Sequence, residues 1–160
     1  MLCSGGESVK HIGLIGLAGS GKDTAAQALY EAGYSRAAFA DRLKELARNF
    51  GWRGEKDARG RALLQDLGMA ARKFDEDFWI RYVDKWIAYR QRVVYTDVRF
   101  QNEADYVRSW GGIVVRIVRP GIISENHESE LKQAEIPADI EIVNDGTIED
   151  LHQKIRAIIQ

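Results

Sequence analysis

A single cysteine, Cys3, is all the thiol this chain of 160 residues carries, so no internal disulfide can form and a reducing, cytoplasmic setting is expected. No apolar run approaches the ~20 residues of a membrane-spanning helix, and Met1 to Lys10 lack the apolar core of a secretory signal. Net charge is equally scarce. Twenty-three basic residues face 24 acidic ones, which leaves −1 and no overall field to draw the chain to nucleic acid or to a membrane. Internal repeats and low-complexity segments are missing as well. What is present is a globular composition, 45% apolar and 29% charged, at a length that suits one domain with a real core. Arginine outnumbers lysine 15 to 8, and guanidinium forks suit bidentate contacts to phosphate.

The most informative stretch is Gly16-Leu17-Ala18-Gly19-Ser20-Gly21-Lys22-Asp23-Thr24. It follows the apolar run Ile12 to Ile15 and opens a helical pattern, Asp23 to Glu31. Gly-x4-Gly-Lys between a strand and a helix is the phosphate-binding pattern. Glycines let backbone N–H groups turn toward phosphate oxygens, and the helix adds the positive end of its dipole. Lys22 supplies a point charge for the β- and γ-phosphates. Asp23 stands where Ser or Thr normally holds magnesium. A carboxylate there is favoured by the helix dipole alone. Beside a triphosphate it needs a cation between, so Asp23 reads as a magnesium-site residue, directly or through water.

Strands and helices alternate along the rest of the chain. Strands are expected at about Lys10–Ile15, Tyr34–Ala40, Arg92–Thr96, Ile113–Val118 and Asp139–Val143. The first helix should end near Gly33, and Asp41 reads as the N-cap of a helix Arg42–Phe50 whose Leu43, Leu46, Ala47 and Phe50 share a face. Gly51 to Gly60 reads as a loop. Helical patterns follow at about Arg61–Arg72 and Glu76–Arg90, the latter with Trp79, Val83, Trp86 and Ile87 on a core stripe. Another helix is expected at Asn102–Trp110. Pro120 to Pro137 is a polar connection of a length that marks a lid. Thr147-Ile148-Glu149-Asp150 caps a last helix that turns Leu151, Ile155, Ile158 and Ile159 to the core. Such alternation predicts an α/β fold with a parallel sheet wound by right-handed crossovers, an insertion at about 41–91 and a lid at about 120–138. Ligands in such sheets bind beyond the carboxyl ends of the strands. The Gly16–Gly21 loop, Asp97–Arg99, Arg119 and Asn144–Gly146 all fall there.

Phosphoryl transfer requires positioning and charge stabilisation more than covalent chemistry. Lys22 and the loop suit the donor, Asp97 is the natural second carboxylate for a cation, and Arg72, Arg99 and Arg119 can clamp the transferring group. An insertion supplies walls for an acceptor, and a lid that closes excludes water. The architecture favours a small-molecule kinase.

Six segments resemble one family: Gly19-Ser20-Gly21-Lys22-Asp23-Thr24, Phe39-Ala40-Asp41-Arg42-Leu43-Lys44, Leu64-Gln65-Asp66-Leu67-Gly68 with Arg72, Thr96-Asp97-Val98-Arg99-Phe100-Gln101-Asn102-Glu103, His127-Glu128-Ser129-Glu130, and Asn144-Asp145-Gly146-Thr147. Together they are similar to the deoxynucleoside monophosphate kinases of bacteriophages. The resemblance runs from about Ile12 to the last residue. It implies a three-layer αβα P-loop kinase with a five-stranded sheet and the reaction ATP + dNMP → ADP + dNDP with Mg2+. It implies an acceptor site of Asp41, Lys44, Gln65, Arg72, Arg99 and Glu103. It places Arg119 and His127, Glu128, Ser129 and Glu130 over the donor phosphates, and Asn144, Gly146 and Thr147 beside the adenine. Asp97-Val98-Arg99 stands where typical cellular nucleoside monophosphate kinases have Asp-Gly-x-Pro-Arg. Small molecules are thus the expected partners, with homodimerisation open. A dephospho-coenzyme A kinase or other small P-loop kinase, and an ATP-binding sensor without turnover, are the alternatives.

Overall fold

The computed structural model describes residues 10–123 and 128–160, with backbone alone for 128 and 129. Five strands, β1 (His11–Ile15), β2 (Ser35–Ala37), β3 (Val93–Tyr95), β4 (Ile113–Val118) and β5 (Ile140–Val143), form one sheet in the order β2-β3-β1-β4-β5. Every neighbouring pair is parallel, with Ile12 opposite both Val94 and Ile113. Buried on both faces, such strands read as apolar runs, and β1 and β3 are buried throughout. The chain divides into two compact units, one running up to Ala37 and then Arg90–Gln160, the other Ala38–Tyr89.

The first unit holds the whole sheet. Helices α1 (Lys22–Glu31) and α7 (Ile148–Ala157) contribute Ala25, Ala26, Ala28, Leu29, Leu151 and Ile155 to a buried cluster with Ile12, Leu14, Val115 and Ile117. Side chains alternate along a strand, so the intervening Gly13 faces the other layer. A Cβ there would meet Val107 of α5 (Gln101–Ser109) at 3.3 Å. Gly13 therefore lets α5 approach closely, and the unit has three layers, helix, sheet and helix. Thr147 caps α7 as expected: its Oγ1 accepts from the Asp150 N–H at 3.1 Å while Asp150 accepts from the Thr147 N–H at 2.8 Å. The connection after β4 is more than a loop. It contains the helix α6 (Glu128–Glu135), which the polar composition of that stretch concealed.

The second unit is helical: α2 (Ala40–Asn49), α3 (Ala58–Phe74) and α4 (Phe78–Ile87). Gly68 of α3 lies beside Leu43 of α2, and its carbonyl accepts from Trp79 Nε1 at 3.3 Å. Three expectations are corrected. Asp41 sits in the first turn of α2, whose N-cap position is Phe39, so the carboxylate meets the helix dipole without capping. Helix α3 starts earlier than Arg61, because Asp57 accepts from the Gly60 N–H at 2.7 Å and caps it. Of the expected apolar stripes, Trp79, Val83, Ile87 and Ala47 are buried, whereas Trp86 and Phe50 are exposed.

Candidate active site

The β1-to-α1 connection is a backbone cradle. Gly16, Gly19 and Gly21 have φ of 149°, 78° and 105°, a region L-residues avoid. A Cβ on Gly16 would lie 2.5 Å from the Ile117 carbonyl oxygen. Gly21 directly precedes α1, so the first N–H groups of a ten-residue helix open onto the loop. Lys22 is part-buried and its Nζ donates to the carbonyls of Gly16 at 2.5 Å and Leu17 at 2.8 Å. Burial lowers its pKa, and the Arg99 guanidinium lowers it further; Asp23, Glu130 and Asp97 act in the opposite sense. Five charged residues expected at the site thus share one electrostatic neighbourhood.

Ser20 is 2% exposed, and its Oγ has no hydrogen-bond partner among the described residues. A buried hydroxyl left unpaired is costly, and here it lies in a loop whose glycines keep side chains away. An anion with several acceptor oxygens fits such a cradle. The donor set also suits magnesium held mainly by phosphate oxygens, a cation that asks for one or two protein carboxylates. Asp23 is exposed in the first turn of α1, and Asp97 is half-buried just beyond β3. Among the described residues no cluster of three or more His, Cys, Asp or Glu side chains forms a cage for a metal.

Other candidate residues take varied positions. Asn144 donates from Nδ2 to the Ser20 carbonyl at 2.9 Å and so braces the loop. Thr147 is engaged in capping α7, with Gly146 against Asp150. Arg119 is exposed one residue beyond β4. Glu103 is 2% exposed, and its Oε2 accepts from the N–H groups of Arg99 at 2.8 Å and Phe100 at 3.2 Å. In the second unit Asp41 and Lys44 stand one turn apart on α2, and Gln65 and Arg72 two turns apart on α3. Arg72 Nη1 donates to the Glu76 carbonyl at 3.3 Å. Ala18 lies within the loop and Thr24 in the first turn of α1. His127 lies outside the described residues, and of Glu128 and Ser129 only their place at the start of α6 is known. Two supporting residues had no sequence signal: His152 Nε2, 3.0 Å from the Thr24 carbonyl, and Gln133, which bonds the Val98 carbonyl.

A parallel sheet in the order 2-3-1-4-5, with a glycine cradle and lysine between its first strand and first helix, defines a P-loop kinase fold. The solved shikimate kinase of Aquifex aeolicus vf5 shares that fold, with a TM-score of 0.53 and 16% identity over 92% of this chain and 95% of that one. The chain belongs to the deoxynucleotide monophosphate kinase family, whose model matches residues 52–155. A protein of Acanthamoeba polyphaga mimivirus, named by inference as such a kinase, is 34% identical over 90% of this chain and 93% of its own length. The deoxynucleotide monophosphate kinase of Enterobacteria phage T4 is 31% identical over 60% of this chain, which spans 43% of that relative.

Proposed function

We propose that this chain transfers the γ-phosphoryl group of ATP to a deoxynucleoside monophosphate, with the Gly16–Thr24 segment as donor site. Its family is one of kinases acting on deoxynucleotide monophosphates, and that membership is the observation that carries the reading. The cradle's N–H groups and the Ser20 hydroxyl hold donor phosphate oxygens, and Asn144 keeps the loop in shape. Lys22 and Arg99 face the charge that spreads over the transferring group's equatorial oxygens. Asp23 and Asp97 would hold magnesium, directly or through water, and the ion would supply positive charge to offset that of the donor phosphates. Glu103 serves by fixing Arg99 rather than by meeting the acceptor, since its carboxylate already binds two backbone N–H groups. Asp41, Lys44, Gln65 and Arg72 bind the acceptor, Arg119 binds the donor phosphates, and Glu130 belongs to the piece that closes over them.

A coupled assay of ADP release across the four dNMPs, the ribonucleotides and dephospho-coenzyme A tests this. Turnover with at least one dNMP is expected, and Arg72→Ala should raise the dNMP KM about tenfold or more with the ATP KM kept, the scale of one lost charged hydrogen bond. Turnover only on dephospho-coenzyme A, or ATP binding with no acceptor consumed, would overturn the reading.

A further inference from the structure

The turn after β3 carries both Asp97 and Arg99, and two buried side chains grip its backbone from different helices. Glu103 of α5 accepts from the N–H groups of Arg99 and Phe100. Gln133 of α6, 5% exposed, donates from Nε2 to the Val98 carbonyl at 2.7 Å. That carbonyl belongs to the peptide joining Val98 to Arg99, the same peptide whose N–H is bonded to Glu103. One peptide plane is therefore held at both its oxygen and its nitrogen.

Helix α6 is itself anchored. Arg116 of β4 donates from Nη2 to the Ile136 carbonyl at 2.6 Å, just past the helix end, and lies 3.4 Å from the carbonyls of Gln133 and Ala134. A cation at that end also complements the helix dipole. Gln133 thus reaches the turn from a fixed base. A buried amide at this position costs folding energy unless bonded, and a plain apolar side chain would fill the same space. Its geometry suits holding a peptide, and that peptide lies in the stretch of backbone that joins Asp97 to Arg99.

We propose that Gln133 is a positioning residue for phosphoryl transfer, clamping the Asp97–Arg99 turn together with Glu103. The inference rests on the reading that Asp97 and Arg99 serve the transfer. Misplacing a reacting group by about 1 Å can cost on the order of a hundredfold in rate, so a loosened turn should be visible in kcat.

Gln133→Met keeps the volume and removes the donor. It should lower kcat about tenfold or more while both KM values stay within about twofold. Combined with Arg99→Ala, it should cost less than the product of the two single losses, because both act through one group. Gln133→Glu gives a second measurement. Its carboxyl can donate to the Val98 carbonyl only when protonated, so its kcat relative to the parent should recover as pH falls from about 8 to about 6. An unchanged kcat in Gln133→Met, or multiplicative losses with Arg99→Ala, overturns the proposal. So does failure of both Gln133 variants to fold, which would reduce Gln133 to packing. Asp97→Asn and Arg99→Ala are assayed alongside. Full activity in those two sinks the transfer-site reading itself, whereas their loss beside an intact Gln133→Met sinks the positioning inference alone.

Discussion

A part-buried ammonium needs acceptors, and Lys22 has two in the carbonyls of its own loop. Burial and Arg99 both press its pKa downward, which the carboxylates of Asp23, Glu130 and Asp97 counter. On the proposed reading, Lys22 faces the charge that develops on the transferring group. Lys22→Ala should therefore lower kcat by about 10²- to 10³-fold or more, the range for losing one preorganised electrostatic contact. A melting temperature close to the parent's would show that the loss is chemical; near-normal kcat would remove Lys22 from the mechanism. Asp23 is exposed, so its replacement perturbs no packing. Asp23→Asn should shift the magnesium dependence of kcat to higher concentration. A superimposable magnesium titration would leave Asp23 as a partner of the helix dipole alone.

At the scale of elements, the β5–α7 junction does more than end the sheet. Thr147 and Asp150 cap α7, Lys154 bonds the Val143 carbonyl at 2.7 Å, and Asn144 reaches back to the loop. Asn144→Ala should raise the ATP KM about five- to tenfold, as one hydrogen bond of about 1 kcal/mol would, with the dNMP KM unchanged under saturating ATP. An unaltered ATP KM would show that the loop holds its shape without this brace. The ease with which these elements were read from sequence follows their physics. β4 was legible to the residue because it is a six-residue run, apolar but for Arg116, closed by glycines and a proline, and the α7 cap because its residues are three apart. Asn144 and His152 find their partners 124 and 128 positions away, a distance over which no local pattern carries information. Helix α6 is short and polar, so its propensity lay hidden in what looked like a loop. The periodicity of α4 gave the angle of Trp86 around the axis but not what covers that turn, and the residue is 46% exposed.

The sheet separates two chemistries. Its carboxyl end carries the glycine cradle and the Asp97–Arg99 turn, while β1 begins at its amino end with a buried histidine. His11 is 4% exposed, stacks with Tyr95 and with Trp110 at ring centroids 5.9 and 5.5 Å away, and has Nδ1 3.0 Å from the Tyr95 hydroxyl. Burial lowers its pKa below the usual histidine value, with the charge of Lys10 a smaller contribution in the same sense. The unfolded chain therefore binds a proton more readily at this site than the folded one does. Stability from His11 is complete above about pH 6.5, the ordinary value, and is lost as pH falls from there toward the lowered folded value, at no more than about 1.4 kcal/mol per pH unit. Below the folded value the loss levels off, because both states are then protonated. Urea unfolding of the parent and of His11→Gln, followed from about pH 8 to about pH 5, measures this directly. Glutamine keeps a polar group near Tyr95 but does not titrate, so its absolute stability will be lower at high pH and the gap should narrow as the solution becomes acidic. Parallel stability curves across that window would mean that His11 keeps its protonation state on folding. Any acid sensitivity of the sheet would then have to come from groups other than His11.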